Sequence, residues 1–446
     1  MPPIDATPPP AEPASAIRAF RRFLCGNAMV LVAMMVGQVA VPWWITLKNG
    51  RHDLALYATL CAVAVCLTMP LMSMLGDRHS KRLLIRIGLC VYLLGAIGTA
   101  CLASFGYYDI RLLLAVEIVA LSGLSMVIPL MSVMASDLLP QAALPQAMQQ
   151  QKFWQSAGQL GGPMLGGLAL SFAGVSFALW LQIVLILAVL AVTESLPASP
   201  PATTHPRGGW WQELSAGVRA KWRIGLERNW TIITFVVGLA LIPCIGMLLP
   251  LKVHAMGLSG QWLGICEASV SLGMLLGAAV GSNARIVERL GRFRLRVAAI
   301  TLLGPALVLV GQTHAPLTMA ASLLLVGFMN SIVVMMGYSR RILASPKRFR
   351  TRMMAVNVVV TQLSAIVGPA LAGLWLMHWP ISFVYLIFGI TLLLGSAGYW
   401  VTPNFRTFLE LDDKDVEGWY STHYPHAFDA KEISAIAPET TPASDA

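Results

Sequence analysis

Apolar residues in this chain neither alternate nor keep to one helical face; they run on for about twenty positions, with polar residues gathered between the runs. The runs fall near 23–47, 54–75, 87–105, 112–134, 154–173 and 175–193, then near 231–251, 262–281, 297–313, 316–338, 354–376 and 382–401. At about 1.5 Å per residue, each run can cross a hydrocarbon core of roughly 30 Å as a helix. The pattern predicts an all-α membrane protein of twelve transmembrane helices, spans 1 to 12, six in each half.

The halves repeat one another. Gly158-Gln-Leu-Gly-Gly162-Pro163-Met-Leu-Gly166-Gly167 in span 5 returns as Ser364-Ala-Ile-Val-Gly368-Pro369-Ala-Leu-Ala372-Gly373 in span 11, at an offset of 206 (368 minus 162). Val175 to Trp180 falls on Ile381 to Leu386 in the same register. Parallel repeats of this kind are a transporter design. They divide the chain into an N-terminal tail 1–16, expected to be disordered, a bundle 17–193, a linker 194–229, a second bundle 230–402 and an acidic tail 403–446.

Composition agrees: 57% of residues are hydrophobic and 12% charged, and the mean hydropathy is +0.69. The net charge of +10 could suggest nucleic acid, but the basic residues are spread over many loops. With the N-terminus in the cytoplasm, 27 of the 31 Lys and Arg lie inside, and only Lys48, Arg51, Arg111 and Lys252 lie outside. By the positive-inside rule both termini are expected to be cytoplasmic, in a multi-pass protein of the plasma membrane, the inner membrane of a bacterium, facing anionic lipid. A nucleic acid partner is therefore rejected. All seven cysteines lie in spans, with no CxxC or Cys/His cluster, so neither disulfide framework nor metal site is indicated. No cleavable signal peptide is expected, since residues 1–16 are Pro/Ala-rich and span 1 is too long.

Residues 194–229 open Pro/Thr/Ser-rich and continue Trp210-Trp211-Gln-Glu213 to Arg223 with apolar and basic faces at helical spacing. This suits an amphipathic helix on the inner membrane surface, within a tether between bundles. The last 45 residues carry nine of the 21 acids. They read as a solvated tail, with docking of a protein partner as the lesser reading.

After span 2 the chain reads Ser73-Met74-Leu75-Gly76-Asp77-Arg78-His79-Ser80-Lys81-Arg82, and after span 8 Ala284 leads to Glu288-Arg289-Leu290-Gly291-Arg292. These two loops resemble the signature of the major facilitator superfamily, with Ser73 and Ser80 in place of two glycines. The resemblance covers about residues 17–402. It implies two pseudo-symmetric six-helix bundles that rock about a central cavity. It also implies a latch, in which Asp77 meets the start of span 11 and Asp137 at the end of span 4 meets Lys81 or Arg82. Arg78, Glu288, Arg289 and Arg292 belong to the same set. For each base taken singly, a purely topological role is the plainer reading.

The span 5 pattern is similar to the antiporter motif of the superfamily's exporters, although Gln149 stands where an upstream glycine is expected. Gly158, Gly162 and Gly166 share one helix face, which permits close packing, and Pro163 permits a kink. Gly273, Gly277 and Gly281 of span 8 form an apparent complement. Ser364, Gly368 and Ala372, followed by Pro369, are likewise matched by Ala58, Ala62 and Cys66 of span 2. In the family fold, spans 5 and 8 and spans 2 and 11 pack between halves, so these stripes, with Gly167, are expected to form a hinge and seal.

Only two acids fall inside spans away from their ends, Glu117 and Glu267, each roughly 7–8 Å from the outer end of its helix. A carboxylate in hydrocarbon costs on the order of 3 kcal/mol or more and usually finds a partner, a wet cavity or a proton. Glu117 is the better proton-coupling candidate, because the resemblance places span 4 beside the central cavity. A wetted edge is the competing account, and it leads for Glu267. The arginine many antiporters carry in span 4 is missing here. Gln38, Trp43 and Asn330 are candidate substrate-path residues, each also explicable by helix packing.

The chain carries no phosphate-loop, zinc-helix or nucleophile-elbow motif. An enzyme is not expected, and no cofactor. The expected function is secondary active transport, proton-coupled efflux of a small amphiphilic molecule such as a drug, siderophore or metabolite. The resemblance is closest to twelve-span proton-coupled exporters. The alternatives are an importer of the same superfamily and a receptor or scaffold acting through the tail.

Overall fold

The computed structural model describes residues 13–48, 50–76, 80–134, 144–195, 210–346 and 349–428. Asp77, Arg78 and Asp137 of the expected latch lie outside them. Regular structure among the described residues is helical throughout. Spans 1 to 4 are helices Pro13–Lys48, Arg51–Gly76, Lys81–Ser104 and Ile110–Val133.

Spans 5 and 6 form one continuous run, Leu144–Glu194, of 51 residues. A straight helix of that length would extend about 75 Å, far beyond a bilayer. The chain turns at Gly174, where φ is 81° and ψ −170°, a conformation open essentially to glycine alone. Among the described residues, eleven helices are long and apolar enough to cross a membrane, one of them Phe153–Glu194. The break at Gly174 divides that one and gives the expected twelve.

Span 7 comprises Gly225–Pro243, a π-helical turn Cys244–Leu248 and Leu249–Ala255. Spans 8 and 9 are Gly260–Ser282 and Arg292–Gln312, joined by the short helix Ala284–Leu290. Spans 10 to 12 are Pro316–Met335, Arg350–Leu376 and Ile381–Val401.

The chain forms two compact units. The first is Met1–Thr204 with Ile245–Ser271, the second His205–Cys244 with Leu272–Ala446. Within the first, span 1 buries Ala33, Val36, Val39 and Ala40 along the double helix of spans 5 and 6. Spans 3 and 4 close on each other at glycines: a β-carbon on Gly95 would lie 2.6 Å from the Ala120 backbone nitrogen.

Within the second unit the described part of the tail, residues 403–428, is packed where the sequence reads as solvated; residues 429–446 lie outside the described residues. Helices Phe405–Glu410 and Trp419–His423 bury Phe405, Phe408, Leu409, Trp419 and Tyr420 in one core with Trp230, Phe293, Ile300 and Tyr399. Trp230 meets the Phe405 ring edge-on at 5.0 Å, and Phe408 stacks on Tyr420 at 5.6 Å. Nine acids concealed an apolar set at positions 405, 408, 409, 416, 419 and 420, which buries enough aromatic surface to order the segment.

The linker helix is Trp210–Arg223. Its small face packs on span 11, where a β-carbon on Gly217 would lie 2.6 Å from the Arg352 carbonyl oxygen. Val218, Arg219, Trp222 and Arg223 face away from that contact and are exposed. Part of the expected tether is thus a packed element of the second unit.

Candidate functional site

Glu117 lies two turns into span 4, whose first turn is capped by the Asp109 carboxylate accepting from the Arg111 amide at 2.8 Å. Gly95 and Gly98 draw span 3 against Ala120 and Val116, and this close approach brings Thr99 level with Glu117. The Thr99 hydroxyl donates to Glu117 Oε1 at 2.8 Å and the Tyr57 hydroxyl of span 2 to Oε2 at 3.2 Å. Among the described residues no ion pair involves Glu117. A carboxylate held by neutral hydroxyls can take up or release a proton without breaking a salt bridge. Both oxygens are directed at spans 2 and 3 of its own unit.

A more deeply buried acid than half-buried Glu117 stands one turn before Tyr57. Asp53 is 4% exposed; its Oδ2 accepts from the Tyr108 hydroxyl at 2.8 Å, and His52 Nδ1 lies 3.4 Å from Oδ1. Burial, then Asp53, push the Tyr108 hydroxyl up from its ordinary value, so it stays a donor. Sequence reasoning passed over Asp53 as a span-end charge, though its four-residue spacing from Tyr57 was visible. Below Tyr57, Thr68 donates to Ser125 at 3.1 Å, and Gln182 of span 6 donates to Tyr92 at 2.8 Å. Spans 2, 3, 4 and 6 thus carry a polar file inside the first unit.

Glu267 is half-buried, and no hydrogen bond or ion pair of its carboxylate occurs among the described residues. One turn on, Ser271 Oγ donates to the carbonyls of Glu267 and Gln159, each at 3.2 Å. Of the substrate-path candidates, Gln38 is exposed and Asn330 half-buried. Trp43 is 6% exposed, its ring meeting His254 edge-on at 6.0 Å.

The glycine stripes pack otherwise than expected. A β-carbon on Gly158 would lie 3.0 Å from the Ala28 carbonyl oxygen, on Gly162 2.5 Å from Met35 Cβ, and on Gly166 3.3 Å from Val36 Cα. The face of span 5 is seated on span 1 of its own unit. Gly273, Gly277 and Gly281 instead receive Leu324, Phe328 and Met335 of span 10. Gly368, beside buried Pro369, admits the Leu239 carbonyl oxygen and Pro243 of span 7, while Ser364 donates to the Phe235 carbonyl at 3.0 Å. The reason is symmetry: each Gly-Pro span packs on the first span of its own half. Span 8 does reach span 5, at Gly264, whose β-carbon would lie 2.6 Å from Gly167 Cα.

Of the latch residues described, Arg82 Nη2 donates to the Glu194 carbonyl at 2.5 Å and to its carboxylate at 3.0 Å, joined by Arg86 at 3.2 Å. Among the described residues Arg82 is thus held by the end of span 6; Asp137, which the resemblance pairs with Lys81 or Arg82, lies outside them. Lys81 begins span 3. Glu288, Arg289 and Arg292 line a cavity of about 410 Å³ with Arg294, Arg406 and Glu410, so the second signature loop meets the folded tail.

No local pattern in the sequence announces the ionic knot at the start of span 7. Glu227 is wholly covered. Arg341 Nε donates to both its oxygens at 2.8 and 2.9 Å, Lys221 Nζ lies 3.2 Å away, and the Tyr420 hydroxyl donates at 2.6 Å. Arg341 also donates to Thr231 at 2.7 Å and Lys221 to Asn357 at 2.5 Å. Burial pulls the Lys221 ammonium down to about 8, against the opposing pull of Glu227. Burial and then Glu227 push the Tyr420 hydroxyl well up. Glu227 had been passed over as another charge near a span end.

A family model described as Major Facilitator Superfamily matches residues 23–339 and 283–413. No curated protein matches the sequence. Among solved structures, the chain is similar to a bacterial homolog of the human lysosomal transporter Spinster, inward-facing and unoccupied, with TM-score 0.66 and 12% identity over 90% of this chain and all of that one. The nucleoside transporter NupG gives TM-score 0.67 and 13% identity, over 88% of this chain and all of that one. A bacterial homologue of the iron transporter ferroportin, inward-facing, gives 0.66 and 13%, over 89% and 99%. At such identities the likeness is one of fold, and it agrees with the twelve helices and the repeat. The chain belongs to the major facilitator superfamily and is a multi-pass secondary transporter of a small-molecule substrate, not an enzyme.

Proposed function

We propose that this transporter is a proton-coupled exporter of a small amphiphilic molecule, with Glu117 as the group that exchanges protons against substrate. The carrying observation is its setting: a carboxylate inside a bundle, bonded by the neutral hydroxyls of Thr99 and Tyr57, with no ion pair to break among the described residues. Protonation removes a charge from hydrocarbon, and deprotonation is supported by two donors, so both states are accessible. The two Gly-Pro spans, each seated on the first span of its own half, suit halves that rock as bodies. The basic loops support cytoplasmic termini in a bacterial inner membrane.

Everted vesicles loaded with a pH-sensitive dye, challenged with a panel of dyes, antibiotics and siderophores, test this reading. A substrate that dissipates the gradient in the wild type and not in Glu117→Gln supports it. Undiminished proton-driven efflux by Glu117→Gln overturns Glu117 as the coupling group. Accumulation in right-side-out cells driven by an inward proton gradient would replace export by import.

A further inference from the structure

From the knot at Glu227 and its surroundings we infer that residues 405–428 are an intramolecular strap that clamps the linker helix onto the second unit. This is a conformational device independent of substrate and of Glu117.

Two kinds of contact hold the strap. One is apolar, the aromatic core around Trp230 and Phe408. The other is polar and directional. Arg340 donates to the Leu411 carbonyl at 2.7 Å, the Gly418 amide donates to the Leu343 carbonyl at 3.2 Å, and Arg350 lies 3.8 Å from Glu417. Gly418 has φ of 72°, the left-handed turn that swings Trp419 and Tyr420 inward.

The strap engages the linker helix at two points. Tyr420 and Lys221 share the Glu227 carboxylate, and Arg223 Nη1 donates to the His426 carbonyl at 3.3 Å. The helix also rests its small face on span 11 and its Lys221 on Glu227 and Asn357. Arg223 bonds the strap directly, and Lys221 shares the Glu227 carboxylate with it.

The strap therefore keeps the linker helix with the second unit in a protein whose halves must move.

Hydrogen–deuterium exchange on the purified full-length chain tests the clamp. In Trp419→Ala/Tyr420→Ala, amides of residues 214–223 should exchange about tenfold faster, since both an anchoring aromatic and a charge-assisted hydrogen bond are lost. Tyr420→Phe, which keeps the ring and the fold, should give about threefold, and Arg223→Ala a similar change. Amides of span 9 should be unaffected in all three. Faster exchange confined to 405–428, with 214–223 unchanged in Tyr420→Phe and in Arg223→Ala, would overturn the clamp and leave the strap as a cap on the core.

Discussion

Glu117 and Glu227 are both acids enclosed by helices, one in each half of the chain, and they have been given opposite surroundings. Glu117 meets only hydroxyls, Thr99 at 2.8 Å and Tyr57 at 3.2 Å. Glu227 meets two cations and a phenol, with Arg341 at 2.8 Å, Lys221 at 3.2 Å and Tyr420 at 2.6 Å. A buried carboxylate without a cation can change its protonation cheaply, whereas one inside an ion-pair network is held to a single charge state. In the proposed function the first arrangement serves coupling and the second serves architecture.

The comparison breaks most visibly at its charged partners. Glu227→Ala strips the acceptor from two buried cations and should destabilise the second unit by about 3–5 kcal/mol, read as loss of monodisperse protein or a large fall in Tm. Glu117→Gln should leave stability within about 1 kcal/mol of the wild type, because an amide of equal shape still accepts from one hydroxyl through its oxygen and can donate to the other through its nitrogen. Proton-driven transport should vanish in that variant. If the two changes cost equal stability, the division of roles fails.

Gly162→Leu places a side chain where Met35 Cβ would already be 2.5 Å from a β-carbon. Overpacking of about 1–3 kcal/mol is expected, within the first unit, and suppressible by Met35→Ala. Suppression by a change in span 8 instead would restore the stripe-on-stripe packing that the sequence suggests. A smaller effect sharpens the chemistry. Tyr57→Phe removes one of two donors to Glu117, at about 1 kcal/mol, and should slow proton-driven transport several-fold while leaving stability nearly unchanged.

The smallest effect is in pH. Lys221 is lowered from its ordinary 10.5 to about 8 by burial. Between those values the unfolded chain holds a proton that the folded chain has released. Stability therefore rises with pH across about 8 to 10.5. Lys221→Met should flatten that rise in denaturation measured over the same window.

Much of the fold was legible because hydrocarbon imposes length. Twenty apolar residues and the Gly-Pro repeat sufficed for twelve spans and two halves, and Gly174 fell between the expected ends of spans 5 and 6. Glu117 was legible for the same reason, being an acid where water is scarce. Asp53 and Glu227 were not, because each stands in the first turns of its helix, where a charge needs no explanation until its neighbours are known. The partners of the glycine stripes were equally hidden. Small residues at spacing four declare that something packs closely, and it is span 1 that receives the Gly158, Gly162 and Gly166 face of span 5.

The sequence alone thus determined the number of crossings, the duplication and the presence of two acids in apolar helices, Glu117 foremost, since each follows from local hydrophobicity and spacing. Tertiary structure decided what Glu117 touches and which helix each glycine face receives. It also decided that an acid-rich tail folds back through Phe405, Phe408, Trp419 and Tyr420 to close on Glu227. Those outcomes depend on contacts between residues as far apart as 227 and 420, and no local pattern encodes which distant surface a side chain will meet.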